Sequence, residues 1–420
     1  MKKRLLATLL FGLCATAPSY SAIKIGSGDI TAELGGFVRT DVFCDTRENF
    51  EVRDGNLTLL PKPERLGENN EDLNENFRMH FLSYVTRLTL KVHGPKIGEA
   101  NTTGYIEADF FGTNDATAGS INLRHAYVDV DWEKTSVRVG NYWHPMIDAD
   151  LFPGVTAISI GAPFQPCSRV PQIRLTQRFT QSTSGFISFN MLGSSNVNGP
   201  DGMSTKYLNN TGIPEMTAGA KFNIGDFTLG INGEYKILTP RTEYTSLLTG
   251  NTVKTDETLA SGAINAYLRY KSGDFTAKAF GMYGQNMNDL MMLSGYAVKE
   301  IKPDGEWEYT GTNGMSSWLD LSYGKTTQVG LFFGYAANLG TSDNTEAKYF
   351  SRFYTSGQDI ESAFRIAPRV NFIFGKLNLG AEMEYTSATY GKMNNLDKNS
   401  FDDTKSVNNI RAMISVCYNF

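Results

Sequence analysis

Alternation of apolar with polar residues runs through almost the whole chain, and this pattern constrains the fold more than any other feature of the sequence. In the segment "AYVDVDW", the alternate residues Ala126, Val128, Val130 and Trp132 are apolar, whereas Tyr or Asp stands between them. A period of two places these two sets on opposite faces of a β-strand. Beyond the first residues, no apolar run approaches the ~20 residues that a membrane helix requires. A chain of this kind that spans a membrane must therefore do so with strands.

Alternating segments of about ten residues are separated by clusters of Gly, Asn, Asp and Ser. We predict strands at 33–44, 80–93, 102–112, 122–132, 136–143, 171–180, 185–192, 215–222, 227–238, 259–271, 275–283, 315–323, 327–336, 362–374, 377–386 and 408–420. The count of about sixteen is even, as is typical of bacterial outer-membrane barrels. A barrel of this size encloses an aqueous lumen, unlike an eight-stranded barrel, which side chains fill.

The spacers between these segments alternate in length. Short spacers such as "EKT" (133–135), "SGD" (272–274) and "GK" (375–376) alternate with long polar ones such as "NNLDKNSFDDTKS" (394–406). A soluble sandwich or propeller has no reason to sort its loops in this way. The pattern predicts an all-β fold: a transmembrane antiparallel up-and-down β-barrel with short periplasmic turns and long extracellular loops.

The polar faces of the predicted strands are rich in arginine. An arginine that faces lipid at mid-depth costs about 2–4 kcal/mol, so the favoured register turns these side chains into the lumen. The predicted pore-lining basic residues are Arg39, Arg87, Arg138, Arg174, Arg178, Arg269, Arg365, Arg369 and Arg411. The acids predicted to face inward are Glu107, Asp109, Asp129, Glu234, Asp320, Glu382 and Glu384. Two interpretations stay open: the arginines favour small anions in the pore, or they pair with these acids and brace the wall.

Pro368 lies inside a predicted strand, where it cannot donate a ladder hydrogen bond. We therefore expect a local bulge at this position.

The third long spacer, "NYWHPMIDADLFPGVTAISIGAPFQPCSRVPQ" (141–172), is not polar as an outer loop should be. Its large apolar residues, Trp143, Met146, Leu151, Phe152, Ile158, Ile160 and Phe164, require a packing partner. Folding into the lumen would provide one and would place the constriction-loop acids, Asp148 and Asp150, across the channel from wall arginines. A lid over the rim or a subunit contact is the alternative, and either Asp could be a solvated surface charge.

The two ends of the chain carry further signals. "MKKRLLATLLFGLCATAPSYSA" has a basic start, an apolar run and small residues, so residues 1–21 are predicted to be a signal peptide and 22–420 a single barrel domain. Acylation at Cys14 is disfavoured by the preceding Leu13. The mature chain would have 36 basic against 44 acidic residues, which disfavours nucleic-acid binding.

The last residues, "RAMISVCYNF", predict a closing strand that pairs with "GGFVRTDVF" near the amino end.

No set of residues indicates an enzyme, a cofactor or a metal site. His80, His93, His125 and His144 lack metal-ligand spacing, and "SYGK" (322–325) lies at a strand end rather than in a catalytic motif. A hydrolase at the rim that uses His125 or His144 is a minor alternative. Cys44, Cys167 and Cys417 form no disulfide framework, although a Cys44–Cys167 pair stays open.

The signal, the constriction-type loop and the ending "CYNF" resemble the sixteen-stranded trimeric porins of bacterial outer membranes. "LRHAYVDVDWEKTSVRVGNYWHPMIDADLFP" (123–153) and "PQIRLTQRF" (171–179) are similar to the DcaP-type branch, whose members take small dicarboxylates and other anions. DcaP-type chains often carry an amino-terminal coiled coil, which this chain is not expected to have, so substrate preference does not transfer.

The resemblance implies a passive diffusion channel for ion and solute transport in a Gram-negative outer membrane. The resemblance implies that Arg138, Arg174 and Arg178 lie on the channel wall. It implies that Asp148 and Asp150 are the acids of the constriction loop. The expected partners are small hydrophilic solutes, outer-membrane lipid and lipopolysaccharide, and two further copies in a homotrimer. The terminal Phe420 also resembles the signal read by the barrel-assembly machinery. The rival hypothesis is a non-conducting barrel that acts as an adhesin, a scaffold or a structural protein of the outer membrane.

Overall fold

The computed structural model describes residues 23–25, 30–193, 196–346, 352–357, 359–394 and 396–420. The expected signal segment, residues 1–21, lies outside the described residues, and so does Cys14. The described strands, numbered in chain order, are β1 Ile23–Ile25, β2 Thr31–Asp45, β3 Asn49–Val52, β4 Leu57–Pro61, β5 Arg78–Leu82, β6 Arg87–His93, β7 Asn101–Asp109, β8 Asn122–Asp131, β9 Thr135–Trp143, β10 Arg169–Arg178, β11 Thr183–Asn190, β12 Glu215–Ile224, β13 Phe227–Leu238, β14 Glu243–Thr245, β15 Thr252–Lys254, β16 Leu259–Ser272, β17 Phe275–Gln285, β18 Gly295–Ile301, β19 Trp307–Gly324, β20 Thr327–Thr341, β21 Phe353–Thr355, β22 Ile360–Phe374, β23 Leu377–Asn394 and β24 Ser400–Asn419.

Sixteen of these strands form a closed antiparallel wall: β2, β6 to β13, β16, β17, β19, β20 and β22 to β24. Each pairs with its neighbours in this order, and β24 closes the barrel on β2, with Phe37 opposite Asn419 and Asp45 opposite Arg411. The Phe420 N–H also donates to the Gly36 carbonyl at 3.1 Å. The predicted all-β barrel, its strand count and its carboxy-terminal closure are confirmed.

The connections between wall strands sort into two rims. One rim carries the short turns 94–100, 132–134, 179–182, 225–226, 273–274, 325–326 and 375–376. The other carries the long connections 46–86, 110–121, 144–168, 191–214, 239–258, 286–306 and 342–359, and the turn 396–399 between the two long strands β23 and β24. These two strands extend beyond the predicted segments 377–386 and 408–420.

The outer surface of the wall is apolar. Along β24, Ile410, Ile414 and Val416 are exposed, whereas Arg411 and Ser415 between them are buried inside the barrel. This matches the predicted parity, in which apolar side chains face lipid and arginines face the lumen. Of the helices in the described part of the chain, none has the length and apolar character to cross a membrane.

The predicted bulge at Pro368 is wrong. Ile366 lies opposite Tyr385 and Arg369 lies opposite Glu382, so β22 and β23 keep one register on both sides of the proline. Pro368 points to the exposed outer face. Its missing N–H interrupts the ladder for two residues without inserting an extra one.

Three long connections fold into the lumen, where the hydrophobic core lies between them and the wall. They are the first-loop hairpin (49–61, comprising β3 and β4), the third loop (144–168) and the start of the sixth loop (286–294). Leu60, Met146, Phe164, Leu290 and Trp318, drawn from all three segments and the wall, belong to one buried cluster. Short helical turns occur at Asp115–Thr117, Ala149–Leu151, Asn288–Leu290 and Lys206–Asn209. The inward fold of the third loop confirms the sequence prediction, whereas the other two inward segments were not predicted.

Candidate channel constriction

The third loop crosses the lumen because its apolar side chains are buried there. All seven of the large residues named from the sequence are buried: Trp143, Met146, Leu151, Phe152, Ile158, Ile160 and Phe164. Trp143 packs edge-on against Phe152 with ring centroids 5.1 Å apart. Burying such side chains stabilises the inward position by roughly 1.5–3 kcal/mol each. The loop is therefore a fixed part of the lumen.

The crest of this loop, residues 152–157, is held by charged side chains of the far wall, a set we call the loop clamp (Lys278, Asp320 and Glu382). Lys278 Nζ donates to the Phe152 carbonyl at 2.6 Å, and Asp320 Oδ2 accepts from the Gly154 N–H at 2.9 Å. The Glu382 carboxylate accepts from the N–H groups of residues 156 and 157 at 2.7 and 2.9 Å. Hydrogen bonds to charged groups are stronger than neutral ones, so the clamp fixes the backbone of the crest.

Arginines of the wall complete this bracing. Arg369 makes two hydrogen bonds to Asp320, at 2.7 and 3.1 Å. Arg39 pairs with Asp41 and donates to the Thr156 carbonyl at 2.7 Å. Arg369 therefore pairs with one of the acids named in the second interpretation, whereas Arg39 pairs with Asp41, which the sequence analysis did not name.

Two further predicted arginines reach the first-loop hairpin. Arg365 donates to the Ala162 carbonyl at 3.1 Å and to the Leu59 carbonyl at 2.9 Å, so it joins the third loop to the hairpin. Arg411 is paired with Asp45 and donates to the Gly55 carbonyl at 2.9 Å. Both side chains are fully buried. Their donors are directed at loop carbonyls, so these arginines position the loops.

A glycine is required at position 154 because the backbone of the third loop lies very close to the loop clamp there. A Cβ atom at this residue would lie 2.1 Å from Arg369 Nη2 and 2.9 Å from Asp320 Oδ2. No such contact is tolerated without movement of the loop or of the ion pair.

A cavity of about 100 Å³ lies on the other side of the third loop, lined by four guanidinium groups. We call it the arginine cavity (Arg53, Arg87, Arg124 and Arg169). Its other walls are mainly apolar and include Trp143. None of the described residues that line it is acidic.

Two carboxylates behind the cavity wall neutralise part of this charge. Arg124 donates to Glu107 at 2.7 Å and to Asp109 at 3.0 Å, and Arg87 lies 3.4 Å from Glu107. Glu107 and Asp109 thus compensate the charges of Arg87 and Arg124.

The predicted loop acids lie in a separate cavity of about 220 Å³, which Arg138 and Arg174 also line. Asp148 accepts a hydrogen bond from Lys221 Nζ at 2.7 Å, and Asp150 lies 3.5 Å from the same ammonium group. The acids and the two predicted arginines therefore share a cavity, but the direct partner of both acids is Lys221.

The arginines of this cavity have partners of their own. Arg138 makes two hydrogen bonds of 2.8 Å to Asp129 and lies between the rings of Tyr127 and Tyr142. Arg174 donates to the Trp143 carbonyl at 3.1 Å. Both side chains are oriented by the wall and by the base of the third loop.

Two predicted residues lie away from the constriction. Arg178 is exposed at the short-turn rim, where it donates to the Glu133 carbonyl at 3.2 Å. Arg269 donates to Thr228 Oγ1 at 2.9 Å on the wall. Below the loop clamp, a cavity of about 470 Å³ opens towards the same rim, with Lys278, Asp320 and Arg369 among its lining residues.

Sequence reasoning missed several lumen cations. Lys221 and Lys278 share the inward parity of their strands and could have been found by extending the argument from arginine to lysine. Arg124 could not have been found in this way. β7 and β8 shift register between Glu107 and Ala108, and this irregularity buries the consecutive residues Arg124 and His125. Strict alternation turns Arg124 outward, so only the bulge brings it into the lumen.

A buried polar network joins the third loop to the wall and to the sixth loop. His144 Nε2 lies 2.7 Å from Glu215, and Lys236 Nζ lies 2.7 Å from Asp289. His144, Glu215 and Asp289 are close enough together for metal ligands. However, His144 Nδ1 accepts a hydrogen bond from the Met146 N–H at 3.2 Å, so the ring proton lies on Nε2 and points at Glu215. The residues therefore fit a hydrogen-bonded network and do not fit a metal centre.

The cysteines add no covalent link within the described residues. Cys44, Cys167 and Cys417 all carry free thiols, so the Cys44–Cys167 pair does not form. Cys167 lines the arginine cavity.

Neither the models of protein families nor the curated proteins include a match to this chain. Among solved structures, the outer membrane channel DcaP of Acinetobacter baumannii superposes with a TM-score of 0.68 at 17% identity, over 94% of this chain and 99% of that one. OmpT, an outer membrane protein of Vibrio cholerae, has a TM-score of 0.56 at 10% identity, over 95% of this chain and 100% of that one. An anion-selective porin from Comamonas acidovorans has a TM-score of 0.54 at 10% identity, over 93% of this chain and 100% of that one.

At identities this low, the similarity shows a shared fold and gives no correspondence between individual residues. The superposition extends over nearly the full length of each partner, which matches the strand order and closure described above. The chain therefore has the sixteen-stranded barrel fold of bacterial outer-membrane channels, and DcaP is among the structures that it resembles.

Proposed function

We propose that this chain is a porin of a Gram-negative outer membrane, a passive channel through which small hydrophilic solutes and ions diffuse. The apolar outer surface suits a lipid environment, and the polar lumen with its clamped third loop suits a channel with a fixed constriction. The fold shared with outer-membrane channels supports this proposal. A channel of this kind uses no cofactor and performs no catalysis.

The preference we propose is for small anions. The observation that carries it is the arginine cavity, where four guanidinium groups face a space with no acid among its described lining residues. Local charge, rather than the net negative charge of the chain, sets the selectivity of a pore. The separate cavity that holds Asp148 and Asp150 is more nearly balanced, because Arg138, Arg174 and Lys221 also line it.

Planar-bilayer recording of the purified protein tests both statements. We expect stepwise current increases on insertion and, in a salt gradient, a reversal potential of the sign that anion selectivity produces. Absence of current would favour the rival hypothesis, a non-conducting adhesin, scaffold or structural barrel. Currents with cation selectivity would contradict the anion preference and leave the porin function standing.

The proposed assembly is a homotrimer that is inserted by the barrel-assembly machinery and surrounded by lipopolysaccharide. Light scattering of the detergent-solubilised protein is expected to give three times the mass of one chain. Amino-terminal sequencing of protein recovered from outer membranes is expected to begin at Ala22, after removal of residues 1–21. A monomer mass, or an intact amino terminus, would contradict the respective statement.

A further inference from the structure

The first-loop hairpin lies inside the barrel, although its sequence looks like that of an ordinary extracellular loop. Asn56, Leu57, Thr58 and Leu60 are all buried. Leu60 belongs to the cluster that contains Met146 and Phe164 of the third loop, and Leu57 packs in the cluster that contains Ile158. The hairpin is therefore packed directly on the third loop.

Three side chains from β22, β23 and β24, the wall strands next to β2, hold the hairpin in place. Arg411 donates to the Gly55 carbonyl at 2.9 Å, and Arg365 donates to the Leu59 carbonyl at 2.9 Å. The Tyr390 hydroxyl donates to the Pro61 carbonyl at 2.6 Å. All three donors are buried. Polar bonds of this kind fix a backbone in the lumen in the same way as the loop clamp fixes the third loop.

The tip of the hairpin directs one cation into the arginine cavity. Arg53, Asp54 and Gly55 have positive φ values of 60°, 54° and 81°, which reverse the chain within a tight turn. Asp115 of the second long connection accepts hydrogen bonds from the N–H groups of Arg53 and Asp54. The Arg53 guanidinium lies over the Phe111 ring at 4.6 Å, and its Nε makes no hydrogen bond to any described residue. This side chain is oriented by stacking on Phe111 and lines the arginine cavity.

From this geometry, and resting on the proposed channel function, we infer that the first-loop hairpin is a second selectivity element and that Arg53 is its specificity-determining residue. The hairpin narrows the passage beside the third loop and supplies one of the four cations of the arginine cavity. The ligands that this site would favour are small anions with exposed oxygens, since a guanidinium edge pairs with carboxylate, sulfate or phosphate groups.

The test is the ion selectivity of Arg53→Gln in the full-length protein, recorded in a potassium chloride gradient. We expect the ratio of anion to cation permeability to fall about threefold, as for one unit charge that acts through a partly hydrated lumen. Arg53→Lys keeps the charge and should restore most of the ratio. Arg65→Gln is the matched control, because Arg65 is exposed in the same long connection.

The outcomes separate this inference from the proposed function. If the wild-type protein conducts with anion preference but Arg53→Gln has the same permeability ratio, the inference is overturned and the porin function stands. If Arg65→Gln lowers the ratio as much as Arg53→Gln, the effect is one of general surface charge and the inference is again overturned. A lower anion-to-cation permeability ratio in Arg53→Gln but not in Arg53→Lys would support the inference. Both variants remove the native side chain, but only Arg53→Gln removes the charge.

Discussion

The lumen contains two groups of buried arginines that the sequence pattern does not distinguish. Arg39, Arg365, Arg369 and Arg411 direct their donors at loop carbonyls or at carboxylates of the wall. In the arginine cavity, four guanidinium groups line a small space, and Glu107 and Asp109 behind its wall compensate Arg87 and Arg124. The first group fixes the loops, whereas the second lines a cavity that we propose to admit small anions. Arginine content alone therefore does not measure the selectivity of this barrel.

The difference follows from what each guanidinium can bind. A buried charge is stable only when hydrogen bonds and opposite charges replace its hydration. The inward loops bring their carbonyl groups to the first set of arginines and leave the second set beside a small cavity. Substitution of an arginine in the first group should therefore change the position of a loop. Substitution of an arginine in the second group should change the ion selectivity.

The largest effect is expected from release of the loop clamp. In Glu382→Ala, the N–H groups of Thr156 and Ala157 lose their shared acceptor, at a cost of about 1.5–3 kcal/mol for each charge-assisted bond. We expect the third loop to leave the lumen centre and single-channel conductance to rise about twofold or more. The control is Asp403→Asn, which removes an exposed ion pair with Lys392. Unchanged conductance in Glu382→Ala would show that the clamp does not hold the constriction.

A smaller effect of the same kind is expected from Gly154→Ala. The added Cβ would collide with the Arg369–Asp320 pair, and relief of the overlap should cost about 1–3 kcal/mol of stability. Thermal unfolding followed by circular dichroism should show a lower midpoint. Gly281→Ala serves as the control, because a Cβ at Gly281 meets no atom within 4 Å. Equal midpoints for the two variants would contradict the close approach.

Arg87→Gln tests the other side of the comparison. It removes a cation of the arginine cavity that stacks on Phe37 and leaves Glu107 paired with Arg124. We expect conductance close to wild type and a fall of about threefold in the anion-to-cation permeability ratio, larger at low salt than at high salt. Arg269→Gln, a lumen arginine away from the constriction, should change neither quantity. A selectivity loss in Arg269→Gln equal to that in Arg87→Gln would remove the special role of the cavity.

The smallest effect, and one of opposite sign, is expected from Asp148→Asn. Loss of this carboxylate leaves Lys221 with only the longer contact to Asp150, which adds positive charge to that cavity. We expect anion preference to increase by less than about twofold, since the cavity is partly hydrated. Asp201→Asn, at an exposed pair with Lys206, is the control. An unchanged permeability ratio would show that solutes do not pass near Asp148, and a decrease would contradict the predicted sign.

Much of the fold was predictable because period-two alternation is a local property of the chain. Each predicted strand corresponds to a wall strand, although 80–93 also takes in the end of β5 and the break at 83–86, and the third loop was recognised by apolar residues that an extracellular loop has no reason to carry. The first-loop hairpin escaped prediction because Leu57, Leu59 and Leu60 are its few large aliphatic residues and they lie beside a strongly polar stretch. Arg124 escaped because a register shift, which alternation cannot reveal, turns it inward.

The sequence by itself determined that this chain forms a closed barrel, that most of its strand arginines share the inward parity and that its last strand meets its first. The tertiary structure decided which arginines hold loops and which line a cavity. Arg365 reaches Leu59 across 306 residues of sequence, and Arg411 reaches Gly55 across 356. The face on which a side chain lies depends on its immediate neighbours in the strand, whereas the partner of its charge depends on how distant loops fold into the lumen.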